Sequence, residues 1–466
     1  MLIRNAEVAR ERQDLRIANG VITELDTSLS AAPNETVLEA DGGALIVGLH
    51  DHHIHLMALA AARNSVACGP ERLADEADLA NALGMATPGA SGWIRGVQYH
   101  ESVAGPLDRD RLDAICSHAP LRLQHRSGAL WMLNSLALEV LALDGQGDLP
   151  GLERINGRVS GRIFRSDDWL RSQLGWPKVE VSLSDVGRQL SSYGVTGVTD
   201  TTPHNALREL QLFSSEMASG ALPQRLVAMG VAELGSRIPV PPFVVLGAVK
   251  LLLDEDRLPS LDELTATIRT VHKDRRQVAI HCVTRTELVF ATAAFAAAGV
   301  IRGDRLEHAA VAPPDALKLV AASPLTIVTQ PQFIRQRGDQ YLEDVSPADQ
   351  PWLYRCQGWL EAGVHLGGGT DAPFGDADPW VCMQAAVDRK TAKGQCIGAK
   401  EALSPEQALA LFTTPPACPG GIPRRVQVGV AADLCLMTKP WAKVRDTLDS
   451  GDIRMTMVAG RVSFGE

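Results

Sequence analysis

No stretch of this 466-residue chain is long and apolar enough to cross a bilayer. The most apolar run, residues 288–301, is broken by Thr292 and Gly299 and falls short of the roughly 20 residues a span requires. Positive charge is not in excess either: 45 Lys plus Arg against 55 Asp plus Glu leave a formal charge of -10. That balance argues against general affinity for nucleic acid or an anionic membrane, and no partner of either kind is expected. Paired cysteines are missing. Cys68, Cys116, Cys282, Cys356, Cys382, Cys396, Cys418 and Cys435 show no C-x-x-C pair and no framework spacing, so buried free thiols are expected. The opening residues, Met1-Leu2-Ile3-Arg4-Asn5-Ala6-Glu7, carry no apolar leader with a cleavage site, and the expected location is the cytoplasm. Internal repeats and low-complexity tracts are absent too. What remains is an ordinary globular composition, 45% apolar and 21% charged, able to bury a large core.

Eight short apolar runs end in polar residues. They are Ala44 to Leu49 running into His50-Asp51-His52-His53-Ile54-His55, then Gly194 to Asp200, Arg225 to Met229, Phe243 to Lys250, Gln277 to His281, Arg305 to His308, Leu325 to Gln330, and Val364 to Asp371. Continuous apolar character is what parallel strands covered on both faces require, and helix-like stretches such as 261–273 and 287–298 lie between them. Eight β-then-α units point to an α/β fold, a (β/α)8 TIM barrel; an open doubly wound sheet would show the same local patterns.

Residues 1–43 and 424–466 carry short alternating strands instead, and Asn19-Gly20 between two of them is a hairpin signal. Both termini are expected to join in one small β-sandwich domain, leaving 44–423 as the barrel. The long gap after the first strand, about 70–185, holds its own strand-like runs at Trp93 to Val97 and Leu121 to Arg126. An insertion there falls on the face where barrel active sites form, and is expected to cap the pocket.

The polar residues at the strand ends are His53, His55, Lys250, His281, His308 and Asp371. In a barrel these ends converge on one cavity. Side chains alternate along a strand, so Asp51, His53 and His55 share one face while His50 and His52 take the other. Two imidazoles two residues apart can chelate one ion, and imidazole suits Zn, Co, Ni or Fe rather than Ca or Mg. Lys250 interrupts an apolar strand, where an unpaired ammonium is costly to bury and would repel a metal. A neutral amine there can capture CO₂ and become a carbamate that bridges two divalent ions; the alternative is a lysine snorkelling out of the strand end.

With Asp51-x-His53-x-His55 closing the first strand and Lys250, His281, His308 and Asp371 following in order, the sequence resembles the amidohydrolase superfamily of metal-dependent hydrolases over nearly its whole length. Trp131 to Leu138, Gly197 to Asp200, Ala279 to His281, Arg305 to His308 and Asp371-Ala372-Pro373 resemble its amidohydrolase-3 branch. Ser127-Gly128-Ala129 departs from the Asp-Gly-His-like segment common in that branch, so a substrate contact there is expected to be altered. The resemblance implies two divalent metal ions, Zn, Co or Mn. His53, His55 and Asp371 would take one and His281 and His308 the other, with carboxylated Lys250 and a hydroxide as bridges. Asp371 is then the expected general acid/base, acting on an amide-like C–N bond.

Tyr99, Arg126 and Trp131 in the insertion, Gln330 at the end of the seventh strand and Arg188 before the second are candidate substrate contacts, each equally open to a structural role. No carboxylate-binding Arg cluster is evident, and Leu130 to Leu138 is apolar. Together these lean toward a small, uncharged, fairly apolar amide, carbamate, thiocarbamate or urea. A deaminase on the same barrel is the nearest rival, but such enzymes usually place a glutamate three residues after the fifth-strand histidine, where this chain has Thr284. A non-catalytic scaffold would be expected to lose metal ligands, and none is lost. Oligomers are common among such barrels, so a homo-oligomer is expected.

Overall fold

The structure, a computed structural model, describes residues 1–145, 149–174, 182–235 and 237–466. It divides into two compact units, 57–182 and the remainder, 1–56 with 183–466. Parts of the insertion expected over 70–185, namely 146–148 and 175–181, lie outside the described residues.

In the larger unit eight parallel strands pair in sequence order: β1 (Leu49–Ile54), β2 (Val195–Asp200), β3 (Arg225–Gly230), β4 (Val244–Leu252), β5 (Val278–Cys282), β6 (Arg305–His308), β7 (Thr326–Thr329) and β8 (His365–Gly368). Every residue of β1, β2, β6 and β7 is buried, as parallel strands covered on both faces must be. The fold is a (β/α)8 barrel. Helices between strands form for local reasons as well as tertiary ones. In Leu261–Lys273, Ser260 and Glu263 make a reciprocal capping box, and Leu264, Ile268 and Val271 bury one stripe. One unit departs from the expected alternation: among the described residues between β3 and β4 there is no helix, and Val245 and Phe243 on that flank are exposed.

The seam between β8 and β1 is closed by the chain just past β8. Asp371 N–H donates to the His53 carbonyl at 2.7 Å, and His55 N–H to the Ala372 carbonyl at 2.9 Å. A Cβ on Gly369 would lie 2.4 Å from that of His53, so a side chain at this position would push the two segments apart.

Both termini build a β-sandwich. One sheet has strands Leu2–Val8, Glu11–Ala18, Val21–Asp26 and Val37–Glu39; the other has Leu45–Val47, Leu434–Met437, Ile453–Val458 and Arg461–Gly465. Ile3, Leu15, Ile17 and Ile22 of the first meet Leu45, Leu434, Leu436 and Met457 of the second in one core. Leu45–Val47, read from sequence as the start of the first barrel strand, therefore belongs to the sandwich, antiparallel to Leu434–Leu436. The barrel strand begins only at Leu49.

The unit 57–182 carries a six-stranded sheet ordered Leu152–Ile155, Arg158–Phe164, Leu130–Leu133, Leu121–His125, Ile94–Tyr99 and Val66–Ala67. Asn134 ties it together: its side chain caps Ser135–Val140, accepts from Leu121 N–H at 2.9 Å and donates to the Cys116 and Ala119 carbonyls. Leu130, Trp131, Met132, Leu133, Ala137 and Leu138 are all buried in this unit's own cores. This corrects one expectation. The apolar character of Leu130 to Leu138 is spent on packing and gives no information about substrate.

Candidate active site

Four imidazoles and a carboxylate converge where β1, β5, β6 and β8 end. Asp371 Oδ1 lies 3.4 Å from Nε2 of His53 and 3.2 Å from Nε2 of His55. The His53 ring is 4.8 Å from that of His308, and the His308 ring 4.5 Å from that of His281. Lys250, fully enclosed on β4, is coupled electrostatically to Asp371, His281 and His308.

Alternation along β1 aims His53 inward, but it cannot explain how Glu307 and His308, adjacent on β6, both serve the same cluster. His308 adopts φ 67°, in the left-handed region that a non-glycine residue enters only under strain. That turn of the backbone breaks the alternation and swings the imidazole toward His281 and His53.

Each ligand-type imidazole is oriented through its other nitrogen. His53 Nδ1–H donates to Glu307 Oε2, which turns Nε2 toward Asp371. His55 Nδ1 bonds the Thr202 hydroxyl at 3.0 Å, and His308 Nδ1–H donates to Gln330 Oε1 at 2.7 Å. Glu307, with no exposed surface, also accepts from Arg305 Nε, while Arg305 Nη2 donates to the His52 carbonyl at 2.9 Å. Asp51 is a brace rather than a ligand: its carboxylate accepts from the N–H groups of His53 and Thr370, each at 3.0 Å, and from the Thr370 hydroxyl.

Electrostatics prepares these groups. Burial would raise the Asp371 carboxyl, but hydrogen bonds from His53 and His55 outweigh it and hold it well below the usual range. Glu307 is likewise held low, with Arg305, Lys250 and His53 overcoming burial. Burial, with Lys250 nearby, pushes His281 down to about 3, and burial together with His281 keeps His308 neutral. Burial pushes the Lys250 ammonium down to about 8, partly opposed by Glu307.

The donor set fits divalent metal. Ligand atoms of His53, His55 and Asp371 lie within 4.8 Å of one another. Burial would lower the His53 imidazole, but Glu307 and Asp371 outweigh it and raise it, so His53 gives up a proton when a metal takes its place against Asp371. Lys250 Nζ is buried without a hydrogen-bond partner, an orphaned amine that a charged ammonium would make costly and that carboxylation would relieve.

The candidate substrate contacts have the following surroundings. Gln330 is buried behind His308 and orients it, so its expected substrate contact is corrected to a positioning role. Arg188 lies exposed on the helix Ser184–Ser192, paired with Asp185 and Ser184, and is not brought into the cluster. Tyr99, Arg126 and Trp131 belong to the unit 57–182. There the Tyr99 hydroxyl donates to the Gly105 carbonyl, Arg126 N–H donates to the Tyr99 carbonyl, and Trp131 is a core ring with the Arg95 and Arg122 guanidiniums about it. Thr284 caps the helix Arg285–Ala298, so no acid stands three residues after His281. Sequence reasoning missed Arg305, Glu307, Thr202 and Phe374, whose ring meets His55 edge-on at 5.5 Å. Glu307 alone carried a signal, a carboxylate in a fully buried strand next to a candidate ligand.

Comparison with known proteins is consistent with this geometry. The model of the amidohydrolase family matches residues 36–464. An N-substituted formamide deformylase of Arthrobacter pascens is 24% identical over 94% of this chain and 90% of its own length. An uncharacterized metal-dependent hydrolase from Pyrococcus horikoshii OT3 superposes with a TM-score of 0.72 at 20% identity, covering 94% of this chain and 97% of that one. The zinc complex of the atrazine chlorohydrolase TrzN from Arthrobacter aurescens TC1 follows at 0.57 and 14%, covering 99% and 94%. No helix among the described residues is long and apolar enough to cross a membrane. The chain belongs to the amidohydrolase family, in its amidohydrolase-3 branch, and is a metal-dependent hydrolase of carbon–nitrogen bonds other than peptide bonds.

Proposed function

We propose that this enzyme hydrolyses an amide-like C–N bond in a small, uncharged, fairly apolar molecule: an amide, carbamate, thiocarbamate or urea. The observation that carries the reading is Asp371 Oδ1 facing Nε2 of both His53 and His55 beside the unpartnered Lys250 amine. In this reading His53, His55 and Asp371 hold one divalent ion, Zn, Co or Mn, and His281 and His308 hold a second. A neutral Lys250 amine would add CO₂ through Nζ and lose one proton to solvent, and the resulting carbamate anion would offer its oxygens to the ions. When bound, such ions polarise a carbonyl and bring the pKa of water toward neutrality.

The chain's own residues supply the rest. Asp371, ionised at neutral pH, accepts the proton of the attacking water and returns it to the leaving nitrogen. Glu307, Thr202 and Gln330 fix the rings of His53, His55 and His308, so these imidazoles need no reorganisation during the reaction. Arg305, which opens β6, is committed to Glu307 and the His52 carbonyl, so it is not available to a substrate carboxylate. Phe374 against His55 adds apolar surface, which favours an uncharged substrate. The relative from Arthrobacter pascens, a deformylase of N-substituted formamides, supports the amide class.

The test is metal analysis of purified protein combined with chelation, reconstitution and a panel of carbamates, thiocarbamates, ureas and N-acyl amines. Chelated protein should be inactive and regain hydrolysis with Zn, Co or Mn. A protein that holds no metal, or that hydrolyses none of the panel under any divalent ion, would overturn the reading.

A further inference from the structure

A second cluster of metal-ligating side chains shares no ligand with the strand-end site. His100 follows the strand Ile94–Tyr99, and His125 ends its parallel neighbour Leu121–His125, with Tyr99 and His125 in register. The register of that pair shifts between Gly96 and Tyr99, and Gln98 there adopts φ 67°. Such bulged, strained backbone re-aims the residues that follow it and concentrates where function needs it. Here it brings His100 and Glu101 round to His125. Glu101 Oε2 lies 3.1 Å from His125 Nε2 and 4.0 Å from His100 Nε2, and the two rings are 5.7 Å apart.

The local sequences repeat one device. Each histidine is followed two residues later by a serine, Ser102 after His100 and Ser127 after His125, whose hydroxyl lies 2.9 Å and 2.7 Å from the ring's Nδ1. The serine N–H groups also reach Nδ1, at 3.1 and 3.2 Å. A hydroxyl partner on Nδ1 is the arrangement that leaves Nε2 to a metal: the ring proton moves to Nδ1, the serine oxygen accepts it, and the serine N–H contact is given up. Glu101 is held ionised, down to about 2, chiefly by its hydrogen bond from His125. The side chains are only 13%, 36% and 17% exposed for His100, Glu101 and His125, screened enough to be ordered and open enough for an ion to enter.

We propose that His100, Glu101 and His125 form a second metal site, in which two imidazoles and one carboxylate bind a divalent transition ion of the Zn, Co or Ni class with water in the remaining positions. Their ligand atoms lie within 4.8 Å of one another, and the ligand types select such an ion over Mg or Ca. Bound there, the ion staples the bulged end of one strand to the end of the next.

The test uses the full chain loaded with zinc and freed of excess by gel filtration. Zinc content should fall by one ion per chain in His100→Ala and in His125→Ala, both in the wild-type chain and in a His53→Ala/His55→Ala background. Glu101→Gln, the conservative variant, should weaken zinc binding at least 10-fold by calorimetry with its metal-free circular dichroism unchanged. X-ray absorption of the zinc retained by a chain in which His53, His55, His281 and His308 are all replaced by Ala should show two imidazoles. Equal zinc content in wild type and all three cluster variants, or unchanged affinity in Glu101→Gln, would overturn the proposal. Neither result bears on hydrolysis at the barrel.

Discussion

The two faces of β1 carry the same residue type to opposite ends. On one face His50 Nε2 bonds the Thr199 hydroxyl at 2.9 Å and His52 Nε2 the Thr414 hydroxyl at 3.0 Å, both rings fully buried and held neutral by burial. On the other, His53 stands between two carboxylates, Glu307 on Nδ1 and Asp371 on Nε2, and His55 shares Asp371. Burial does not separate the pairs, since His50, His52 and His53 are all 2% exposed or less. The separation lies in what the nitrogens face. A neutral imidazole against a lone hydroxyl is a core group, though His52 Nδ1 is left without a partner, whereas several imidazoles converging on one carboxylate make a donor set that suits a cation.

Substitutions can break this contrast. The largest effect is expected at Asp371: Asp371→Asn should lower kcat by roughly 10²–10⁴-fold, the range for losing a positioned proton carrier, while His50→Gln stays within a few-fold of wild type in steady-state kinetics. Comparable losses in both variants would show that the faces are not functionally distinct. The ring-orienting residues come next. Glu307→Gln and Gln330→Ala should each weaken metal affinity by about 10–100-fold, read by competition with a chelating dye. Unchanged affinity would mean that the far-side partners of His53 and His308 are packing contacts only.

The smallest effect sharpens the outer face. His50 and His52 have folded pKa values well below the usual 6.5, so the unfolded chain takes up their protons first as pH falls. Their contribution is present above pH 6.5 and is lost as pH drops below it, by up to about 1.4 kcal/mol per pH unit for each ring. Urea unfolding of metal-free protein at pH 7.5 and 5.5 should therefore show a shallower pH dependence in His50→Gln and His52→Gln than in wild type. An unchanged slope would place protons on these rings in the fold.

Much of the barrel was legible because most of its strands belong to short, largely apolar runs with polar residues at their ends. The errors cluster where two structures share one local pattern. Leu45–Val47 reads like the opening of β1, yet it pairs with Leu434–Leu436, about 390 residues away in the chain by the loop-spanning contacts that sequence pattern does not encode. The stretch between β3 and β4 was expected to hold a helix and holds none among its described residues. Gln330 looked like a substrate contact because it ends a strand, but its amide turns back onto His308. Arg305 went unread because its place in a buried ion pair shows only when its partner is in position.

The order of ligand-type residues along the chain, each at the end of an apolar run, was settled by the sequence alone, because burial and strand periodicity act locally. Which of them meet was decided only in three dimensions. Closure at Gly369 sets Asp371 against His53 and His55, and the left-handed turn at His308 brings its ring to His281. Both depend on backbone crowding between distant segments, and no short window of sequence contains the two sides of such a contact.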